Sequence, residues 1–434
     1  MHISLPYGAA SIPIDVPDNW INGRCYRPHP MLPCADPRAE LMAAVGSLPE
    51  NLALKKLLDN KGTCAIVVDA EHPVIARELL TPLLELIEDE SDIARENFTI
   101  IFAHRPLAPV TPTELATLLE ERLLSEYRVV VHDPSDADNI LSVGESTKKV
   151  PLTISKVYQE AQVKILLGGV APDLLSGFTG GRALLMPGLC GRETLKAMYD
   201  FNFVADKQSR FGNFRDNPFH IVGIETVAAT GCDLAVSAVM TSEQQIHKIF
   251  VGHYGASHLQ AMTTSREAML VRVKEPMDIV VTSGGGSPHD GTLAQVVNSL
   301  CAVEHVLKPE GTIVISAALD NGFGPDGFAE IARNSRGVHK TLERLSLSKK
   351  YTPGQWIAQR FYQLLTDHEI ILFNKEMEEG LIWDIGLTPS RDFNEAIMGA
   401  MQSHGQRCKI VALPEGPKGI GEIGAAPNTG TSQR

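Results

Sequence analysis

KILLGGVAPDLLSGFTGGRALLMPG, residues 164–188, is the stretch on which the reading of this chain turns. It opens with a short apolar run, Ile165-Leu166-Leu167, of the kind a fully buried strand presents. It then breaks into a loop that gathers Gly168, Gly169, Gly177, Gly180 and Gly181 around one cation, Arg182. Glycines let a backbone approach a ligand closely and turn its N–H groups toward an anion. Arginine can grip a carboxylate or phosphate with two parallel hydrogen bonds. The plainer alternative is a tightly folded connection. The loop is not a P-loop, because G-x-x-x-x-G-K-[ST] is missing.

Outward from this stretch, apolar strands alternate with helical patterns. The runs 64–68, 98–102 and 127–131 precede it, and 278–281, 312–315 and 369–372 follow. Helices are expected over 74–86, with Pro82 as a kink, from Pro112 onward, and over 292–307. Thr111-Pro112-Thr113-Glu114 supplies a capping residue, a proline for the first turn and a glutamate three positions on. The pattern predicts an α/β protein of two lobes, each a mostly parallel sheet flanked by helices, with the ligand cleft between them. The expected division is 1–270, then 271–413, then a segment 414–434 that returns to the N-terminal lobe and ends in a mobile tail.

Composition narrows the function classes. Charged residues make up 21% of the 434-residue chain, hydrophobic residues 44%, and the formal net charge is −13. An acidic field without a basic run argues against a nucleic-acid partner. No stretch approaches the ~18 apolar residues of a membrane helix, and Met1 to Leu5 has no signal-peptide character. Seven scattered cysteines without a C-x-x-C pair predict reduced thiols and a cytoplasmic protein.

In open α/β sheets, ligands gather at the carboxyl ends of strands. After Val68 come Asp69, Glu71 and His72. That carboxylate and imidazole can share a site, or Asp69 can cap the next helix. After Phe102 comes His104, whose imidazole can exchange protons near neutral pH. After Leu167 comes the glycine loop with Asp173 and Arg182. The second glycine cluster, Gly284-Gly285-Gly286, lacks dinucleotide-binding spacing. His253 and His258 read as solvated or core histidines.

Taken together these loops resemble the lactate racemase family. The resemblance begins with Leu5-Pro6-Tyr7-Gly8 and runs through Asp69, His104-Arg105-Pro106, His132-Asp133 and Gly144-Glu145-Ser146-Thr147. It continues through Gly177-Phe178-Thr179-Gly180-Gly181-Arg182, Pro187-Gly188, Asn217-Pro218, residues 252–258, Gly284 to Asp290, Gln295 and Trp356. Order and spacing match from about residue 3 to residue 415. The resemblance implies a nickel-pincer nucleotide, hydride transfer between substrate and cofactor, and two histidines that serve the two faces of a 2-hydroxy acid.

Carried over position by position, the first catalytic histidine is His104, and the second falls on Asp173. The lysine that tethers the cofactor falls on Ala183, and the nickel-ligating histidine falls on Tyr199. The substrate-binding arginine falls on His72 and the substrate-binding lysine on Asn298; Gln295 and Trp356 are kept, and Asp69 stands beside them. Gly177, Gly180, Gly181 and Arg182 are the candidate cofactor-binding group. Three expectations follow. One is a racemase or epimerase of a 2-hydroxy acid other than lactate, holding a nickel-pincer or related nucleotide without a covalent bond. Another is an enzyme whose rebuilt site, His72, His104 and Asp173, holds a divalent metal. The last is a non-catalytic homologue that binds a small molecule.

Overall fold

A computed structural model describes residues 2–15, 21–105, 107, 109–348, 350–405 and 407–424. The tail expected at the C-terminus lies mostly outside them, over 425–434. The chain divides into two compact units. Residues 30–267 form one, and residues 1–29 together with 268–434 form the other.

The contiguous unit is built on a six-stranded sheet. Its order is Ile246–Gly252, Leu234–Met240, Val163–Val170, Cys64–Val68, Phe98–Phe102, Arg128–Val131. All neighbours run parallel except the outermost pair, 246–252 against 234–240. Cys64–Val68 and Phe98–Phe102 are buried along their whole length, because helices cover both faces. On one face Ile66, Val68, Ile100, Phe102 and Leu167 pack with Leu41, Leu79, Leu83 and Ile87. On the other, Ala65, Val67, Ile101 and Leu166 pack with Tyr158, Leu185, Leu189 and Val227. The two-residue period of a strand sorts an unbroken apolar run into two cores.

The helix expected over 74–86 is present but not regular. A first turn, Pro73–Ile75, widens into a π-helical segment, Ala76–Leu80, and then continues as Thr81–Asp89. Pro82 has no N–H to return to the carbonyl four residues back, and the π-helical segment lies just before it. The entry at Thr111 has the expected form: its side chain accepts from Glu114 N while the Glu114 carboxylate accepts from Thr111 N.

The second unit carries an all-parallel six-stranded sheet in the order Thr388–Ser390, Glu369–Phe373, Leu307–Ser316, Met277–Ser283, Ile410–Leu413, Ile21–Cys25. Here the expected division is corrected. The edge strand Ile21–Cys25 and the hairpin His2–Tyr7/Ala10–Asp15 belong with the C-terminal half, where Ile3, Leu5 and Ile14 pack against Ile279, Val281 and Val314. Ile420–Ile423 pairs in parallel with Leu270–Val273 inside the same unit, so the described part of the 414–434 segment, residues 414–424, belongs with the C-terminal half. All seven cysteines are free. Among the described residues, no helix is long and apolar enough to cross a membrane.

Candidate active site

Three neighbouring strands of the contiguous unit, Val163–Val170, Cys64–Val68 and Phe98–Phe102, deliver their carboxyl ends to one edge. Adjacent strands lie about 4.8 Å apart, so the loops that follow them are close neighbours.

The loop after Val68 holds a buried dyad. Asp69 Oδ2 lies 2.8 Å from His72 Nδ1 and also accepts from Gly169 N at 2.9 Å. Asp69 Oδ1 accepts from Glu71 N at 2.7 Å, so no capping bond goes to the helix that follows. Both side chains are about 95% buried, with exposures of 4% and 5%. Burial alone would raise the Asp69 pKa and lower that of His72, but their mutual attraction and hydrogen bond win. The carboxylate is held below its ordinary range and the imidazole above its own. His72 lies flat against Gly169, where a Cβ would fall 2.8 Å from the ring. Its Nε2 makes no hydrogen bond among the described residues.

His104 follows the next strand and is half-buried. Its backbone N–H is fixed by Gly188 O at 2.7 Å, while its ring has no hydrogen-bond partner among the described residues. Desolvation, helped by His132, lowers its pKa to about 4, so the imidazole is neutral at pH 7. His132, missed as a site residue, is itself anchored by Nε2 to Cys190 O at 2.9 Å. Arg105 is engaged by both oxygens of Glu114, at 2.9 and 3.0 Å.

Asp173 is brought to the same edge, but its Oδ1 anchors its own loop. It accepts from Leu175 N at 3.0 Å, Ser176 N at 2.6 Å and Ser176 Oγ at 2.7 Å. Glu71 ties the loops together electrostatically. Desolvation pushes its carboxyl up to about 7, and Asp69, His72, Asp173 and Arg105 all act on it. Its side chain nonetheless presents surface to solvent.

The glycine loop is a packing device. A Cβ on Gly177 would meet Asn213 O at 2.0 Å, one on Gly180 would meet Gly169 O at 2.6 Å, and one on Gly181 would meet the His258 ring at 2.4 Å. Protein therefore fills the space each missing side chain leaves. Arg182 is 2% exposed, donates to Ser176 O at 3.0 Å and lies along His258 and Met262. Burial lowers its pKa to about 9. Tyr199 is also buried, with its ring 5.8 Å from that of Phe219.

The remaining expected residues lie in the other unit. Gln295 belongs to a helix cap: its Oε1 accepts from Thr292 N at 2.9 Å and Thr292 Oγ1 at 3.0 Å, and its Nε2 donates to Pro288 O at 3.0 Å. Asn298 sits three positions on in the same helix, Leu293–Val303. Trp356 is buried and stacked on Tyr351, centroids 6.3 Å apart.

Residues 7–212 match the lactate racemase N-terminal domain, and residues 272–420 match the lactate racemase C-terminal domain. The chain belongs to the lactate racemase family. It is 28% identical to the lactate racemase of Thermoanaerobacterium thermosaccharolyticum, over 96% of this chain and 98% of that protein. It is 25% identical to the lactate racemase of Lactiplantibacillus plantarum, over 84% and 86% of the two chains. The solved apoprotein of the Thermoanaerobacterium racemase superposes with a TM-score of 0.88 at 26% identity, covering 97% of this chain and all of that one. A Thermotoga maritima crystal structure with a TM-score of 0.57 and 14% identity, covering 86% of this chain and 96% of its own, shares the fold alone.

Within this lactate racemase homologue, the residues do not fit a nickel-pincer nucleotide held as the resemblance implies. Ala183 has no amine for a tether. Tyr199 would have to ionise a phenol of ordinary pKa about 10 inside an aromatic cluster. The glycines expected to cradle a phosphate face Asn213, Gly169 and His258 instead. The divalent-metal alternative finds no ready-made cluster: among the described residues, no three His, Cys, Asp or Glu side chains are grouped to hold a metal. His72 Nδ1 is bonded to Asp69, and Asp173 Oδ1 to its own turn.

Proposed function

We propose that this chain is an isomerase, a racemase or epimerase, acting on a 2-hydroxy acid other than lactate, with His104 as a proton-transfer group. The observation that carries the reading is the state of His104: a half-buried neutral imidazole with no hydrogen-bond partner among the described residues, at the carboxyl edge of the sheet. A neutral imidazole takes a hydroxyl proton and returns it as imidazolium, while a non-covalently bound hydride-accepting nucleotide would take and return the Cα hydride. The departure from lactate rests on what stands at the clamp positions. His72 is turned to Asp69, and Asn298 is uncharged. A charge-assisted hydrogen bond to a carboxylate is worth about 1.5–3 kcal/mol, and a small acid such as lactate has few other handles. A larger hydroxy acid with further hydroxyls can bind through neutral groups.

The test is chiral chromatography of single-enantiomer 2-hydroxy acids, including lactate and sugar acids, after incubation with the purified protein. Nickel is measured on the same sample by elemental analysis. The expected result is interconversion of a polyhydroxylated acid, with lactate at background and nickel well below one per chain. Lactate as the best substrate, or stoichiometric nickel, would overturn the substrate or cofactor reading. A panel left wholly unchanged would support the non-catalytic alternative, which the loss of the tether and nickel-ligand positions, at Ala183 and Tyr199, favours.

A further inference from the structure

We propose that the contiguous unit carries a second ligand site, at the amino ends of its sheet strands, that takes a small zwitterion. The ligand is an α-amino acid, held by its carboxylate at Arg128 and by its ammonium at Glu96. The site lies wholly within residues 30–267 and does not depend on the isomerase reading above.

A cleft of about 400 Å³ opens where Cys64–Val68, Phe98–Phe102 and Arg128–Val131 begin, and the helix Lys156–Glu160 forms its other wall. Small-molecule sites span roughly 300–1,000 Å³, so the space suits a ligand of amino-acid size with room for its side chain. His104 and the Asp69/His72 pair follow the opposite ends of the same strands. At roughly 3.3 Å per residue, a five-residue strand sets the two edges about 15 Å apart. The cleft is therefore separate from the site at the carboxyl edge. Strand register explains its lining. Thr99 and Arg128 are partners on neighbouring parallel strands, so both side chains leave the sheet on one face. Ala65, the partner of Thr99 on its other side, packs with Tyr158 of the helix, which identifies that face as the one the helix covers.

Three polar side chains of this cleft have no partner within the protein. Thr99 is 9% exposed, yet its hydroxyl makes no hydrogen bond among the described residues. A hydroxyl withdrawn from water without a partner is costly, so the partner of Thr99 has to come from the cleft it lines. Arg128 and Glu96 line the same cleft, and among the described residues neither side chain is ion-paired or hydrogen-bonded, even to the other. The remaining two charges, Lys156 and Glu160, pair with each other at 4.0 Å. One guanidinium and one carboxylate are thus left uncommitted around one space. A simple anion would satisfy Arg128 and be repelled by Glu96, and a simple cation would do the reverse. A molecule bearing both a carboxylate and an ammonium satisfies the two together. Arginine grips a carboxylate with two parallel hydrogen bonds, and the Thr99 hydroxyl, beside Arg128 in register, is placed to donate a further one. Val157 and Ala161 of the helix wall supply apolar surface for the substituent on the ligand's α-carbon.

The experiment screens the standard amino acids one at a time against the full-length protein by saturation-transfer NMR, at millimolar concentration, and measures Kd for any that bind by titration calorimetry. The N-acetyl and carboxamide derivatives of that amino acid are titrated alongside it. At least one amino acid is expected to bind, with each blocked derivative weaker by about tenfold or more, the lower end of what a charge-assisted hydrogen bond contributes. Arg128→Gln and Glu96→Gln are each expected to weaken binding by about the same factor. Both side chains are exposed, so the variants should keep the wild-type thermal midpoint. His104→Ala, at the other end of the strands, should leave Kd unchanged. A screen in which no amino acid binds ends the proposal. An N-acetyl derivative that binds as well as its parent reduces the cleft to a plain anion site and defeats the zwitterion. Affinity untouched by both charge substitutions, or abolished by His104→Ala, puts the ligand elsewhere on the molecule and is equally fatal.

Discussion

At the residue scale, His104 and the Asp69/His72 loop were legible from their place after apolar strands, because the carboxyl edge of a parallel sheet is where loops meet ligands. Their states were not legible. That Asp69 faces His72 instead of capping the next helix depends on a turn closed by Gly169, a hundred residues away. Asp173 and Arg182 looked available in the sequence, yet Asp173 Oδ1 holds its own loop and Arg182 is buried along His258. His104→Ala is expected to lower turnover by roughly 10²–10⁴. In the wild type, activity should persist down to about pH 4–5, because the base form of His104 is lost only as pH falls through about 4. A pH–rate profile with an acid limb near the ordinary histidine value of about 6.5 would contradict the desolvated state assigned to it.

At the scale of elements, the alternation of strands and helices and the capping box at Thr111 could be read locally, since each rests on neighbours in sequence. The second box, at Thr292 and Gln295, is just as local, but the resemblance points Gln295 at the substrate. Replacing Thr292 by Ala should cost about 0.5–2 kcal/mol, measured by denaturant unfolding. Gln295→Ala should also lower stability, since it removes the other half of the box. A Gln295→Ala protein of unchanged stability but raised KM would restore Gln295 to the substrate. The glycine loop makes a sharper prediction. Gly177 has φ +80° and Asn213 O where a Cβ would sit. Gly177→Ala should therefore destabilise by about 1–3 kcal/mol from overpacking alone. A neutral effect by the same unfolding measurement would mean the loop has slack and room for a ligand.

At the scale of the whole molecule, several histidines are held neutral inside the contiguous unit. Burial lowers His104 to about 4 and His220 to about 3, and His132 and His258 shift the same way. Between those values and about 6.5 the unfolded chain binds more protons than the folded one, so stability rises with pH across this window. Glu71 acts in the opposite sense within this window, since its carboxyl is raised to about 7 and its contribution is lost as pH rises toward that value, and His72 does so above about 6.5, as pH rises through its raised folded value. The four depressed histidines outnumber these two groups, so the thermal midpoint should climb between about pH 4.5 and 6.5; a flat or falling midpoint would refute the balance. The division of the chain was the least legible feature, because strand 21–25 finds its neighbour at 410–413 across nearly the full length of the polypeptide. That separation has a consequence for synthesis. A nascent chain leaving the ribosome can complete the 30–267 unit once residue 267 has emerged, whereas strand 21–25 must wait, without its sheet neighbour, until 410–413 is translated. That strand is thus the segment with the longest exposure to chaperones and to aggregation during biogenesis.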